Sequence, residues 1–190
     1  MLILIETAYH FTYIKSHLPE EEEKMKRLSI VLSAIIICIS FTPAFAEMPG
    51  YAELTKLLVD ISGWEASEAT GMNMTGPMGE MVNAVREYEK DDMTISAQII
   101  VGMAAQGAWA PFQAGYSIDT PETSVKTMDI SGYRVGISHE KKEKSGGIVV
   151  LLPAEGTSGI FTLAYEGMSS DEALDIAKKF SWKSIEEAIK

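Results

Sequence analysis

Cysteine is all but missing from this chain. One cysteine, Cys38, occurs in 190 residues, and it falls in an apolar stretch that reads as a removable leader. Residues 47–190 then carry neither thiol nor disulfide. Their fold must rest on a packed core, and cysteine nucleophiles and cysteine-based zinc sites are excluded. Histidine is nearly as scarce. The chain has three, and only His139 follows residue 46. That removes His-rich zinc sites and the H-E-x-x-H protease signature. A Ser-His-Asp triad would have to use His139, which the sequence sets in a charged hairpin tip over 139–144. Neither Gly146-Gly147 nor Gly156-Thr157-Ser158-Gly159 has the G-x-S-x-G elbow. Positive charge is also short: 16 Lys and Arg stand against 27 Asp and Glu, for a net charge of −11. An acidic surface repels nucleic-acid phosphates and anionic lipid, so neither is an expected partner.

A long apolar run is missing too. The longest, from Leu28 to Phe41, has about 14 residues, whereas a spanning helix needs roughly 20. Lys26 and Arg27 precede it, Pro43 breaks it, and Ala44-Phe45-Ala46 follows as an A-x-A cleavage site. This is the anatomy of a secretory signal peptide. Residues 25–46 are expected to direct export and to be removed, so that no transmembrane segment is retained and the protein works in the periplasm or outside the cell. Ile37 stands before Cys38 where a lipoprotein needs a small residue, which argues against lipidation. Residues 1–24 precede the signal without a continuing period. Glu20 to Lys24 require purine-rich codons, as a bacterial ribosome-binding site would have, so Met25 is the expected initiator and 1–24 a mis-called start. The remainder, 47–190, has 144 residues (190 − 46), the size of one domain able to bury a real core.

What is present predicts an α+β fold: a mostly antiparallel sheet packed by an N-terminal helix and C-terminal helices. In 51–61, Leu54, Leu57 and Leu58 recur at helical spacing, with Ser62-Gly63 as a stop and Trp64 as a core residue. A short strand over 64–70 and a flexible Gly- and Met-rich loop over 71–79 are expected next. Residues 81–89 and 93–101 read as a hairpin turning at Lys90-Asp91-Asp92, with Met93, Ile95, Ala97 and Ile99 alternating against polar neighbours. The small apolar segment 102–114 reads as a helix ending before Pro111 or as a buried crossover. Strands over 124–130, 133–138, 147–152 and 160–165 suggest a meander. Ser169 and Glu172 have capping-box spacing ahead of Ala173, Leu174, Ile176, Ala177 and Phe180. Ser184 and Glu187 repeat that spacing before a last helix.

Two groups of residues are candidates for binding. Met72, Met74, Met78 and Met81 give M-x-M-x3-M-x2-M. Thioether sulfur is soft and selects Cu(I). Methionine also fills irregular cores and apolar lids, and five others, Met48, Met93, Met103, Met128 and Met168, are spread through the rest. Trp109 and Phe112 could line a pocket or an interface, against a core role in a small domain. Of the acidic pairs Glu87 and Glu89, Asp91 and Asp92, and Asp171 and Glu172, the last two have sufficient explanations in turn and helix start. The reading is an exported non-enzymatic domain without a cofactor. It binds a partner protein of the cell envelope or an apolar small ligand. The alternative is a periplasmic Cu(I)-binding protein that uses the methionines.

Four short motifs add a likeness. Ile61-Ser62-Gly63-Trp64, Gly71-Met72-Asn73-Met74, Arg86-Glu87-Tyr88-Glu89, and Ala164-Tyr165-Glu166-Gly167 leading into Asp171-Glu172 together resemble small exported bacterial proteins of unknown function. The resemblance covers most of 47–190. It implies a layered α/β sandwich over an antiparallel sheet, similar to the PsbP-like fold, and implies no catalytic residues.

Overall fold

The structure is a computed structural model and describes residues 48–190, apart from 78, 114, 116, 155 and 156. The expected signal peptide and the 24 residues before it lie outside the described residues. Nine strands are formed: β1 (Glu65–Ala66), β2 (Thr70–Gly76), β3 (Gly79–Lys90), β4 (Met93–Gly102), β5 (Ile118–Asp119), β6 (Thr123–Ile130), β7 (Tyr133–Glu140), β8 (Ser145–Ala154) and β9 (Thr157–Glu166). They make a single antiparallel sheet in the order β1-β3-β4-β9-β8-β7-β6-β5. β2 shares with β1 the outer edge of β3. The expected β3–β4 hairpin and the β6–β9 meander are both present.

The helices are short: α1 (Tyr51–Leu54), α2 (Met103–Trp109), α3 (Ser170–Ala177) and α4 (Trp182–Ala188). Single 3-10 turns at Thr55–Leu57 and Ala110–Phe112 continue the first two. Sheet therefore predominates over helix more than the α+β expectation supposed. Ser169 caps α3 with a complete capping box: its Oγ accepts from the Glu172 N–H, and the Glu172 carboxylate accepts from the Ser169 N–H at 3.0 Å. That N–H bond and a second from the Ser169 hydroxyl at 2.7 Å hold the Glu172 pKa below the usual carboxylate value. α4 starts earlier than the Ser184 spacing suggested, because the Ser181 side chain accepts from the Ser184 N–H.

Strand alternation divides the buried residues between two faces. On one face Val82, Ala84 and Tyr88 of β3, Ile95, Ala97, Ile99 and Val101 of β4, and Phe161, Leu163 and Tyr165 of β9 meet Leu54, Leu58, Leu174, Phe180, Trp182 and Ile185 from the two ends of the chain. This is the main core. The opposite face carries a smaller cluster of Ala105, Trp109, Phe112 and Ile160, flanked by Ile100, Val125, Val149 and Leu151.

The sheet order explains the second cluster. β9 lies beside β4 and completes the middle of the sheet, so the chain leaving β4 must reach the far edge to begin β5 and β6. Residues 103–113 enter that passage over the second face. The described part of the expected segment 102–114 is thus a crossover that includes the expected short helix ahead of Pro111. Gly102 opens it with φ +99°, where an added Cβ would meet the Glu80 backbone oxygen.

Candidate functional site

Exposed apolar side chains single out the β2–β3 hairpin, where Met72 and Met74 lie open to solvent. The sequence suggested a flexible loop over 71–79. Instead Thr70–Gly76 is a strand, in register with β3 from Thr70↔Val85 to Gly76↔Gly79. Glycine-rich chain has little strand propensity of its own. What holds it is the pairing to β3 together with an anchor to α1. The Tyr51 N–H donates to Asn73 Oδ1 at 2.9 Å. Gly71 lies close to the Tyr51 side chain and the Asn83 carbonyl, with no room for a Cβ.

That anchor fixes which side chains face outward. Gly71 and Asn73 face α1, so Met72 and Met74 project from the other face. They are 51% and 52% exposed. Met81 sits directly across from Met74 in the β2–β3 register and is partly buried. Met72, Met74 and Met81 therefore share one face of the ribbon. Met78 lies outside the described residues. Met103, at the start of α2, is 51% exposed, and Tyr51 is 42% exposed. Neither Met103 nor Tyr51 stood out in the sequence, because nothing local shows that the topology brings them beside this hairpin.

Trp109 and Phe112 sit elsewhere. They are 4% and 6% exposed, with ring centroids 5.6 Å apart. Phe112 lies flat over Gly136 of β7, where an added Cβ would come within 2.3 Å of the ring. The Arg134 guanidinium covers the Trp109 ring at 5.7 Å. Their aromatic surface closes the crossover onto the sheet, and a ligand reaches it only if that segment lifts.

The titratable groups show a similar bias toward structure. His139 is paired within strand β7 opposite Gly146, rather than lying in the hairpin tip. Its Nδ1 is 3.0 Å from the Tyr165 hydroxyl and 3.1 Å from the Ser145 carbonyl. Burial pushes the Tyr165 hydroxyl up to about 12, with Asp171 adding to the shift. Burial likewise raises Tyr88 to about 12. It raises Tyr133 to about 12 as well, with help from its hydrogen bond to Glu186. None of these three phenols is set to ionise near neutrality. The Glu87 carboxylate accepts from the Ser96 hydroxyl at 2.8 Å. Among the described residues, no three His, Cys, Asp or Glu side chains converge as a metal site. No described helix is long and apolar enough to cross a membrane.

Sheet, crossover and hairpin define a small antiparallel-sheet domain that presents exposed methionines at one edge. The chain matches no family model, no curated protein and no solved structure.

Proposed function

We propose that the chain is an exported, non-enzymatic domain of α+β type that binds a partner protein or an apolar small ligand in the cell envelope. One observation carries this reading. Of the exposed large apolar side chains, Tyr51, Val59, Met72, Met74, Met103 and Ile118, Met72 and Met74 share one face of the β2–β3 hairpin, and Met103 follows Gly102, the β4 residue paired with Met81 of that hairpin. Single exposed apolar residues need no explanation, but a contiguous group favours a contact surface. The tight engagement of His139 and the raised phenols support the non-enzymatic part. The export part is supported by the Lys26-Arg27 start, the apolar run and the A-x-A site. Trp109 and Phe112 remain a second contact region, available if the crossover lifts.

Native mass spectrometry of protein purified from the exporting host tests both parts together. The expected mass is that of a chain beginning at Glu47, with a partner or ligand retained. A chain that keeps the apolar segment overturns export with cleavage. A bare chain overturns the binding reading.

A second reading is favoured by one specific feature, the shared face of Met72, Met74 and Met81. Directly paired residues on one face of a hairpin have Cβ atoms about 5 Å apart, close enough for thioethers to converge on one soft ion such as Cu(I). Such a site would lose affinity steeply when two sulfurs are removed. It would depend little on pH near neutrality, since thioethers release no proton. Competition with a Cu(I) chelator under reducing conditions tests it. Wild type should retain the ion and the Met72→Leu, Met74→Leu pair should not, with stability changed by less than about 1.5 kcal/mol. Equal retention by the two proteins ends the copper reading.

A further inference from the structure

Among the described residues, the outer edge of β2 is unpaired. β2 pairs only with β3, and no other described strand lies beyond it. Seven consecutive residues, Thr70-Gly71-Met72-Asn73-Met74-Thr75-Gly76, form this edge without a single charge and without proline. Natural sheets usually blunt such an edge with lysine, proline or a bulge. An unblunted edge presents a row of backbone donors and acceptors ready for another strand.

The surroundings of this edge are mainly acidic. Glu53, Glu65, Glu68, Glu80, Glu87 and Glu89 are all exposed around β1, β2 and the start of α1. From 48 to 89 only two side chains are basic besides these acids. One is Lys56. The other, Arg86, is committed to the Leu58 and Ser67 carbonyls and to Asp60. The edge thus combines a strand template, two outward methionines at alternate positions, and an excess of negative charge that Lys56 and the neighbouring Lys90 offset only in part.

We infer that the β2 edge docks an extended segment of a partner protein by strand addition, the segment having apolar side chains at every second position and lysine or arginine between them. This rests on the binding reading above and specifies its site and partner. Backbone pairing supplies the attachment. Met72 and Met74 receive the alternate apolar side chains. The glutamates attract the basic ones and exclude acidic segments. A second copy of this chain fits less well, because two such edges would bring like charges together.

The test uses a short labelled peptide of alternating valine and lysine. It is compared with its glutamate-for-lysine counterpart and with a version N-methylated at alternate residues. Binding is followed by fluorescence anisotropy, and the β2 amides by hydrogen exchange. The lysine peptide should bind more than about tenfold more tightly than either comparison peptide, protect the β2 amides and weaken with added salt. The Met72→Ser, Met74→Ser variant should lose about tenfold or more in affinity while melting like wild type, since both side chains are half exposed. Glu68→Gln with Glu80→Gln should reduce the salt dependence. Equal binding of the N-methylated peptide to wild type overturns strand addition, and that result depends on no variant folding. A concentration-dependent dimer abolished by the methionine substitutions also overturns the inference, since a second copy then occupies the edge. If native spectra show a retained partner but the peptide fails to bind, only this docking mode falls. If they show none, the binding reading itself falls.

Discussion

Replacing Phe180 with alanine is expected to cost about 3–5 kcal/mol of stability, the range for removing a fully buried aromatic ring. Phe180 follows α3, and its side chain is 1% exposed. Its ring lies 4.9 Å from Phe161 of β9 and meets Tyr88 of β3 edge-on at 6.1 Å. It therefore contacts two strands that β4 separates, and it holds the turn between α3 and α4 against the centre of the sheet. A domain of this size shifts its melting point by about 2–4 °C per kcal/mol, so thermal unfolding should fall by roughly 6–20 °C. Lys179→Ala, at an exposed position next door, should stay within about 0.5 kcal/mol of wild type. If Phe180→Ala melts with wild type, the C-terminal helices are peripheral and the core description is wrong.

Phe180 was legible in the sequence because its information is local. The helical stripe from Ala173 to Phe180 and the capping residues Ser169 and Glu172 lie within a dozen positions of one another. The same holds for the β3–β4 hairpin, where Met93, Ile95, Ala97 and Ile99 alternate, and for the consecutive strands β6 to β9. The pairing of β4 with β9 was not legible, since register across about 60 residues leaves no short-range trace. Without that pairing, the path of 103–113 over the second face could not be foreseen. Gly136, whose missing Cβ makes the seat for Phe112, looked like any strand glycine.

The candidate site followed the same rule. The four methionines stood out by composition, and the structure places three of them on one face. Their setting was misread because Gly71, Gly76, Pro77 and Gly79 suggest a loop. Tertiary contacts overrode that local preference: β3 supplies a pairing partner and Asn73 binds the head of α1. Trp109 and Phe112 drew attention in the sequence by composition, which does not distinguish a pocket lining from feet that hold a crossover down.

Arg86 is the position whose loss should most disturb the support behind β1 and β2. It occupies a core-facing place in β3 between Ala84 and Tyr88, where a strand pattern alone calls for an apolar residue. Its Nε donates to the Ser67 carbonyl at 2.9 Å, Nη1 to the Leu58 carbonyl at 2.7 Å, and Nη2 to Asp60 Oδ1 at 2.6 Å. The guanidinium also lies 5.5 Å from the Tyr88 ring centroid, and the Tyr88 hydroxyl donates to the Val59 carbonyl at 2.8 Å. Two side chains of one strand thus add to the β1–β3 pairing and to buried Leu58 and Ile61 in holding segment 58–67. Hydrogen bonds from a charged donor contribute about 1.5–3 kcal/mol each without adding fully. Arg86→Ala should therefore cost roughly 3 kcal/mol, mostly by leaving the Leu58 and Ser67 carbonyls without their donor. Arg86→Lys should recover little, because one ammonium cannot reproduce the planar fork that reaches three acceptors. Asp60 is 87% exposed, so Asp60→Asn should cost less than about 1 kcal/mol. Chemical denaturation gives the three values, and hydrogen exchange should show faster opening of 58–67 in Arg86→Ala. If Asp60→Asn proves as costly as Arg86→Ala, the ion pair rather than the two carbonyls holds the segment. If Arg86→Lys behaves as wild type, the fork geometry is irrelevant.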